Sequence, residues 1–216
     1  MARPSWIAFD LNGTLLDPAA LLGPGHEEIG NSALDDAVMQ AMADTLTGEH
    51  RPFPDYLRAA LERRVKIERL DGDALAAAMD RARALPAFPD AAETLETLSG
   101  AGYRIAVVTN SATGSASNAL RAAELDRHVE LVVGADEIGA YKPDPRVYRH
   151  AAIRLAAPPG ALCLVAAHAW DVLGAMRAGW RAVWVGHREH HLLATVPQPT
   201  VCADSLLEAA RRLAAL

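Results

Sequence analysis

The chain has 216 residues, of which 51% are hydrophobic and 22% charged, and its formal net charge at pH 7 is −6. This length is enough for one α/β domain with a small insertion, and the negative charge argues against the basic surface on which nucleic-acid binding depends. We therefore expect a small-molecule substrate and no nucleic-acid partner.

The sequence also bears on location. The first apolar run, residues 5–10, begins too early to leave room for a signal peptide, and no apolar run approaches the length of a membrane span. The two cysteines fit neither a disulfide framework nor a metal site. We therefore expect a cytoplasmic protein with no membrane contact.

Strand patterns alternate with helix patterns along most of the chain. The predicted strands are residues 5–10, 104–108, 131–134, 162–165 and 181–185, and the predicted helices are residues 90–101, 113–123, 145–156, 171–178 and 204–215. Such alternation is typical of βαβ units. The predicted fold class is therefore α/β, a doubly wound, Rossmann-like parallel sheet.

A long insertion follows the first predicted strand. It carries no strand pattern and shows helical periodicity at residues 34–47, 54–69 and 73–85. Proline and glycine punctuate both of its borders. We predict a helical cap of residues 18–86 and a hydrolase core of residues 1–17 and 87–216.

Asp10 comes directly after the apolar run Trp6–Phe9 and is followed by Gly13 and Thr14. Open α/β sheets form ligand sites at the carboxyl ends of their strands. Asp10 is therefore a candidate nucleophile, although a lone aspartate there is equally typical of a turn or helix cap.

Three later segments carry complementary polar groups. Thr109 and Asn110 follow the second predicted strand, Lys142 precedes a predicted helix, and Asp171 follows the fourth predicted strand. A carboxylate, hydroxyl and amide donors, a fixed cation and a second acid form a set suited to covalent catalysis.

In order and spacing, the four segments resemble the four motifs of the haloacid dehalogenase (HAD) superfamily, from residue 6 to about residue 186. The string YKPDPRVY (Tyr141–Tyr148) and the tripeptide Ala169-Trp170-Asp171 are most similar to the type II 2-haloacid dehalogenase branch.

The resemblance implies a role for each matching residue. Asp10 would be the nucleophile, and Thr14 and Thr109 would hydrogen-bond it or the substrate. Asn110 would orient the bound anion, Lys142 would neutralise charge, and Asp171 would hold Lys142 or the hydrolytic water. The substrate site would further include Leu11, Asn12, Tyr148, His168 and Trp170.

The chain departs from the phosphatases of the superfamily. They carry a second Asp two positions after the nucleophile, where this chain has Asn12, and an amide cannot cycle a proton near neutral pH. Motif four offers Asp171 as its single carboxylate, whereas Mg²⁺ prefers several oxygen ligands. A halide leaving group needs no proton. The sequence thus favours displacement of halide from a small 2-halo carboxylic acid by Asp10, without metal or cofactor.

Two further departures leave alternatives open. The arginine that the dehalogenases carry early in the cap has no counterpart, because no Lys or Arg occurs between Arg3 and Arg51. Arg51 or Arg58 could replace it, or both could be surface charges. In motif four, Ala166 and His168 replace the family's serine and asparagine.

The alternatives are a Mg²⁺-dependent phosphatase acting on a small metabolite, with Asp10, Asn12 and Asp171 as metal ligands, and a non-catalytic anion-binding relative. Residues 187–191 are predicted to form a polar surface loop rather than a metal cluster. A homodimer is compatible with the resemblance.

Overall fold

One six-stranded sheet organises residues 3–215, the part of the chain that the computed structural model describes. Its strands are β1 (Trp6–Phe9), β2 (Arg104–Thr109), β3 (Leu131–Gly134), β4 (Leu162–Ala166), β5 (Arg181–Val185) and β6 (Val201–Ala203). All neighbouring strands pair in parallel, in the order β3-β2-β1-β4-β5-β6. The direction of winding changes at β1, and α/β proteins bind ligands at such a switch point.

The described α-helices are α1 (Glu27–Thr47), α2 (Phe53–Glu68), α3 (Ala74–Arg81), α4 (Ala91–Gly100), α5 (Thr113–Ala122), α6 (Pro145–Arg154), α7 (Ala169–Arg177) and α8 (Leu206–Ala214). None of them is long and apolar enough to cross a membrane.

The sheet buries both of its faces, which explains why β1 is apolar at every position. Ile7 and Phe9 enter one hydrophobic cluster, whereas Trp6 and Ala8 enter a second. Successive side chains of a strand point to opposite faces, so the two clusters lie on opposite sides of the sheet. The predicted doubly wound α/β fold is confirmed.

Two elements differ most from the sequence-based prediction, and the helix predicted at residues 73–85 is shorter, since α3 ends at Arg81. Strand β6 was not predicted, because three residues are too few to show a period. Helix α1 begins at Glu27 rather than at residue 34. Glycine weakens a helix pattern, but Gly30 has a packing role, since a Cβ atom there would lie 2.6 Å from the carbonyl oxygen of Pro18.

The chain passes between the sheet and helices α1 to α3 along two adjacent segments. Leu16 and Ala87 form an antiparallel bridge. The amide of Asp17 donates to the carbonyl of Pro86 at 2.8 Å, and the amide of Phe88 donates to the carbonyl of Leu15 at 2.9 Å. These contacts lie at the borders predicted for the cap, and we keep the division at residues 18–86 as a proposal.

Candidate active site

Asp10 lies at the carboxyl end of the central strand β1. Its amide donates to the carbonyl of Val165 in β4 at 3.0 Å, which continues the parallel ladder by one residue. Its side chain is buried, with 5% of the residue exposed. The strand therefore fixes the position of the carboxylate at the switch point of the sheet.

The turn after Asp10 returns a hydroxyl to it. The Oγ1 atom of Thr14 donates to Oδ2 of Asp10 at 2.9 Å and accepts from the amide of Ala167 at 3.0 Å. Gly13 allows this turn because its φ is +85°, and a Cβ atom there would lie 2.7 Å from Cε1 of His168. Thr14 thus joins the first motif to the end of β4.

Lys142 lies between two buried carboxylates. Its Nζ atom donates to Oδ1 of Asp10 at 2.8 Å, to Oδ2 of Asp171 at 2.5 Å and to the carbonyl of Val108 at 2.9 Å. Its side chain is 0% exposed. An ammonium has three N–H donors, so these contacts use all of them and hold the charge in one position.

The ion pairs set the protonation states. Burial by itself raises the pKa of Asp10, but the charge of Lys142 and a hydrogen bond from His168 hold that pKa well below its usual range. Burial by itself lowers the pKa of Lys142, but the charges of Asp10 and Asp171 raise it above its usual value. At neutral pH, Asp10 is a carboxylate and Lys142 an ammonium.

Asp171 holds Lys142 from the side opposite Asp10. Its Oδ1 atom accepts from the hydroxyl of Tyr148 at 2.6 Å, and its Oδ2 atom accepts from Lys142. Burial and the charge of Asp171 raise the pKa of Tyr148 well above its usual value. The phenol therefore keeps its proton and donates a hydrogen bond to Asp171. Burial raises the pKa of Asp171, only partly opposed by the charge of Lys142. Both of its oxygens are occupied by donors.

The residues after β2 contact their own loop and Lys142 rather than Asp10, which leaves their implied roles toward the substrate as predictions. Thr109 makes no hydrogen bond to Asp10 among the described residues, and its Oγ1 atom instead accepts from the amide of Ser111 at 3.1 Å. The Oδ1 atom of Asn110 accepts from the amide of Lys142 at 2.8 Å. Its Nδ2 atom is buried and has no partner within residues 3–215. This amide therefore remains available to a bound anion.

His168 is in contact with the predicted nucleophile. Its Nδ1 atom lies 3.3 Å from Oδ2 of Asp10, and its ring stacks on Trp170 at a centroid distance of 5.1 Å. Because ionised Asp10 can only accept, the Nδ1 atom of His168 donates to it. The Nε2 atom is buried without a partner in the described part of the chain.

The segment after β5 is a loop, as predicted, but only part of it lies on the surface, because residues 190–191 are exposed whereas residues 187–189 are partly buried. His187 contacts the carbonyl of Gly13 at 3.0 Å. Glu189 accepts from the amide of Ala169 at 3.0 and 3.1 Å, at the start of α7. Carboxylates are favourable at helix N-termini, and no local pattern announces a partner so distant along the chain.

Three apolar side chains of α1 and α2 cover Asp10: Leu34, Val38 and Phe53. The pocket that they share with Asp10 holds about 10 Å³, roughly the space of a single water molecule. Two larger cavities flank it. A bound acid must therefore extend from Asp10 into one of them, or the helices must move.

The two flanking cavities differ in character. The Arg188 cavity holds about 430 Å³ and is lined by Asn31, Asp35, Val38, Met39, Met42, His168, Trp170, Arg188 and Glu189. The other, the apolar cavity, holds about 340 Å³. Its lining includes the predicted substrate-binding residues Leu11 and Asn12, together with Leu34, Phe53 and Ser111.

The site does not suit Mg²⁺ as the sequence-based alternative places it. Both oxygens of Asp171 accept from Lys142 and Tyr148, and the Nζ atom of Lys142 lies between Asp171 and Asp10. The amide nitrogen of Asn12 donates to the hydroxyl of Ser111 at 3.1 Å. That bond leaves the Oδ1 atom of Asn12 free, but hard cations need several free oxygen ligands, and the carboxylate oxygens of Asp10 and Asp171 are already engaged by donors.

This geometry suits covalent catalysis, because the ionised carboxylate of Asp10 lines the pocket and the fixed ammonium of Lys142 balances its charge. The class is that of hydrolases with an aspartate nucleophile on a Rossmann-like core. The chain belongs to the haloacid dehalogenase-like hydrolases, whose family model matches residues 4–179.

Individual relatives are similar over most of their length. The (S)-2-haloacid dehalogenase 4A of Burkholderia cepacia is 33% identical over 192 residues, which cover 83% of this chain and 82% of the relative. A phosphoglycolate phosphatase of Cupriavidus necator is 33% identical over 181 residues, covering 80% and 77%. A solved dehalogenase in an intermediate complex is 29% identical, with a TM-score of 0.92 and 99% of each chain covered.

Proposed function

We propose that this protein hydrolyses the carbon–halogen bond of a small 2-halo carboxylic acid through an ester on Asp10. The observation that carries the proposal is the placement of Lys142 between Asp10 and Asp171, because its ion pairs engage both carboxylates that a metal ion would need. Since Asn12 offers no acid for an alkoxide leaving group, the site favours a leaving group that departs without a proton. The similarity to the Burkholderia cepacia dehalogenase supports the same reaction.

The first step is a displacement. An oxygen of Asp10 attacks C2 of the acid from the side opposite the halogen, a C–O bond forms, and the halide leaves with the bonding electrons. Lys142 and Thr14 hold the carboxylate in one orientation for this attack. The apolar side chains over Asp10 exclude water, which strengthens each electrostatic contact inside the site. The configuration at C2 inverts.

The second step hydrolyses the ester, and we assign its base to His168. Thr14, protonated Lys142 and the Nδ1 atom of His168 all donate to Asp10, and the second ring nitrogen of His168 is the group beside them that can take up a proton. Water attacks Cγ of Asp10, His168 takes its proton, and the bond from Cγ to the alkoxide oxygen breaks. The proton then passes to the alkoxide, which leaves as a 2-hydroxy acid, and Asp10 returns to the carboxylate when the second proton of the water is lost to solvent.

Replacement of His168 by Asn should separate the two steps. We expect the first turnover to release halide at close to the normal rate, followed by a steady state about 100-fold slower, because general-base catalysis contributes roughly that factor. Rapid-quench halide assays would show the burst, and the mass of the intact protein would show the ester. His150→Asn, which alters a histidine paired with Glu137, is the matched control. Loss of the burst, or an unchanged steady state, contradicts the assignment.

The reaction itself is tested by halide and phosphate release measured side by side, on 2-haloacids and on phosphomonoesters. We expect halide release that is unchanged, within about twofold, between added Mg²⁺ and a chelator, because the Asp10, Asn12 and Asp171 set does not suit a hard cation. Phosphate release that requires Mg²⁺ would instead support the phosphatase alternative, with which the similarity to the Cupriavidus necator phosphatase agrees. Absence of both products would favour the non-catalytic relative.

The remaining expectations about the setting of this function stay proposals. We propose a cytoplasmic enzyme that works without a cofactor. The free thiols of Cys163 and Cys202 are typical of reducing compartments. A homodimer remains a prediction of the family resemblance.

A further inference from the structure

A carboxylate substrate needs a cation, and the obvious one is committed. All three donors of Lys142 are occupied by Asp10, Asp171 and the carbonyl of Val108. The helices above Asp10 present Leu34, Val38 and Phe53, none of which can balance a charge. Burial of an unpaired carboxylate is costly. The amide of Asn110 has a free N–H donor but no charge, so the charge of the substrate carboxylate must be balanced by a different side chain.

The two arginines suggested by the sequence do not reach the site. The side chain of Arg51 is 67% exposed and pairs with Asp44, and Arg58 is exposed on α2. The apolar cavity has a single arginine in its lining, Arg83, whose side chain is 81% exposed. Solvated side chains of this kind contribute little to anion binding.

Arg188 differs from all of these. It belongs to the segment after β5, and its side chain is only 8% exposed. It lines the Arg188 cavity together with Val38, His168 and Trp170, and those three residues also line the small pocket around Asp10. The two spaces therefore lie next to each other, and an acid with C2 at Asp10 would extend past these shared residues toward Arg188.

The guanidinium of Arg188 is held in place but keeps free N–H donors. Its Nη1 atom donates to Oδ1 of Asn31 at 2.7 Å, and its Nη2 atom donates to the carbonyl of Asn31 at 3.1 Å and to Oδ1 of Asp35 at 2.5 Å. A guanidinium has five N–H donors, and these bonds use three. The side chain of Asp35 is 60% exposed, so water already screens its charge.

We propose that Arg188 is the residue that binds the carboxylate of the substrate. The inference rests on the proposed function, since it assumes a carboxylic acid as substrate. Guanidinium groups pair with carboxylates in a planar, charge-assisted geometry. Helix α1 offers no cation to the substrate carboxylate. Arg188, which follows β5 on the core side of the site, supplies that charge instead.

The test is the binding of propionate, a halogen-free acid, by calorimetry to the full chain and its variants. Arg188→Met should weaken propionate binding at least about tenfold, while propionamide, its neutral analogue, should bind both proteins alike. Asp35→Asn breaks the same ion pair but keeps the cation, and should bind propionate as well as the wild type or better. Arg188→Lys, which preserves charge and fold, should lie between.

Equal weakening in the Met and Asn variants would overturn the proposal, because it would mean that the Arg188–Asp35 pair only holds α1 in place. Propionate binding that is unchanged in Arg188→Met would overturn it as well. The outcome is separable from that of the proposed function, since propionate has no halide to release. Arg188-dependent propionate binding in a protein without dehalogenase activity would contradict the reaction and leave the anion site intact.

Discussion

Asp10→Asn is expected to reduce halide release at least about 10⁴-fold, the scale of losses seen when a covalent nucleophile is removed. An amide is too weak a nucleophile to displace halide. Asn has the shape of Asp, so its oxygen can still accept from Lys142 and the fold should persist. Halide assays and thermal unfolding of the same preparation would separate lost chemistry from lost structure.

Asp17→Asn is the matched control for this variant. Asp17 belongs to the same strand–loop segment, and its side chain accepts from the amide of Ala19 at 2.9 Å, a bond that Asn also makes. Its turnover should stay within about twofold of the wild type, because no step of the proposed reaction uses it. Full activity in Asp10→Asn would refute the assignment of the nucleophile.

Lys142→Met should affect both catalysis and stability. Removing the cation leaves the buried carboxylates of Asp10 and Asp171 without the charge that lies between them, and breaking a buried ion pair typically costs about 3–5 kcal/mol. The loss of a fixed charge at the reacting carboxylate should also lower turnover by roughly 10²–10³-fold. Urea unfolding at pH 7 measures the first effect and halide release the second.

The pH dependence of this stability loss has a definite sign. In the wild type, the lowered pKa of Asp10 gives a stabilisation that is present above the unfolded pKa of about 4 and is lost as the pH falls through the folded value. Without Lys142, the charge that most lowers the pKa of Asp10 is gone, so this pKa rises and protonation at low pH costs the variant less stability than it costs the wild type. The difference in unfolding free energy between the two proteins should therefore shrink below about pH 5.

The chain supplies an internal control for this experiment, since it contains two lysines, Lys66 and Lys142. Lys66 is 73% exposed and pairs with Glu62 one helical turn away. Exposed pairs of this kind are worth about 0.3–0.5 kcal/mol. Lys66→Met should therefore unfold almost as the wild type does at every pH, and a difference between the two lysine variants that does not depend on pH would contradict the buried ion-pair account.

The sequence predicted the sheet and the groups at its edge because both are local patterns. Asp10 and Thr14 follow one apolar run within a few residues, and the family spacing brought Lys142 and Asp171 to the same edge. The partner of Thr109 could not be predicted, because the rotamer of one hydroxyl decides between Asp10 and the nearby amide of Ser111.

The contacts of Arg188 and Glu189 also could not be predicted from the sequence. Arg188 contacts Asp35 across 153 positions of the chain, and Glu189 contacts the start of α7. No period or motif encodes such pairings, since they depend on where α1 and α7 lie relative to β5. The composition of residues 187–191 predicted an exposed polar loop, whereas residues 187–189 are partly buried in the structure.

The bridge between Leu16 and Ala87 has a consequence for how this protein tolerates change. The residues between Leu16 and Ala87 therefore act as one long loop whose two ends are already held together next to the sheet. The entropy of closing such a loop grows only with the logarithm of its length, by about 0.6 kcal/mol for each doubling. Lineages can therefore lengthen, shorten or exchange the helices above the site, and so alter which molecules enter, while the sheet that holds the nucleophile keeps nearly the same stability.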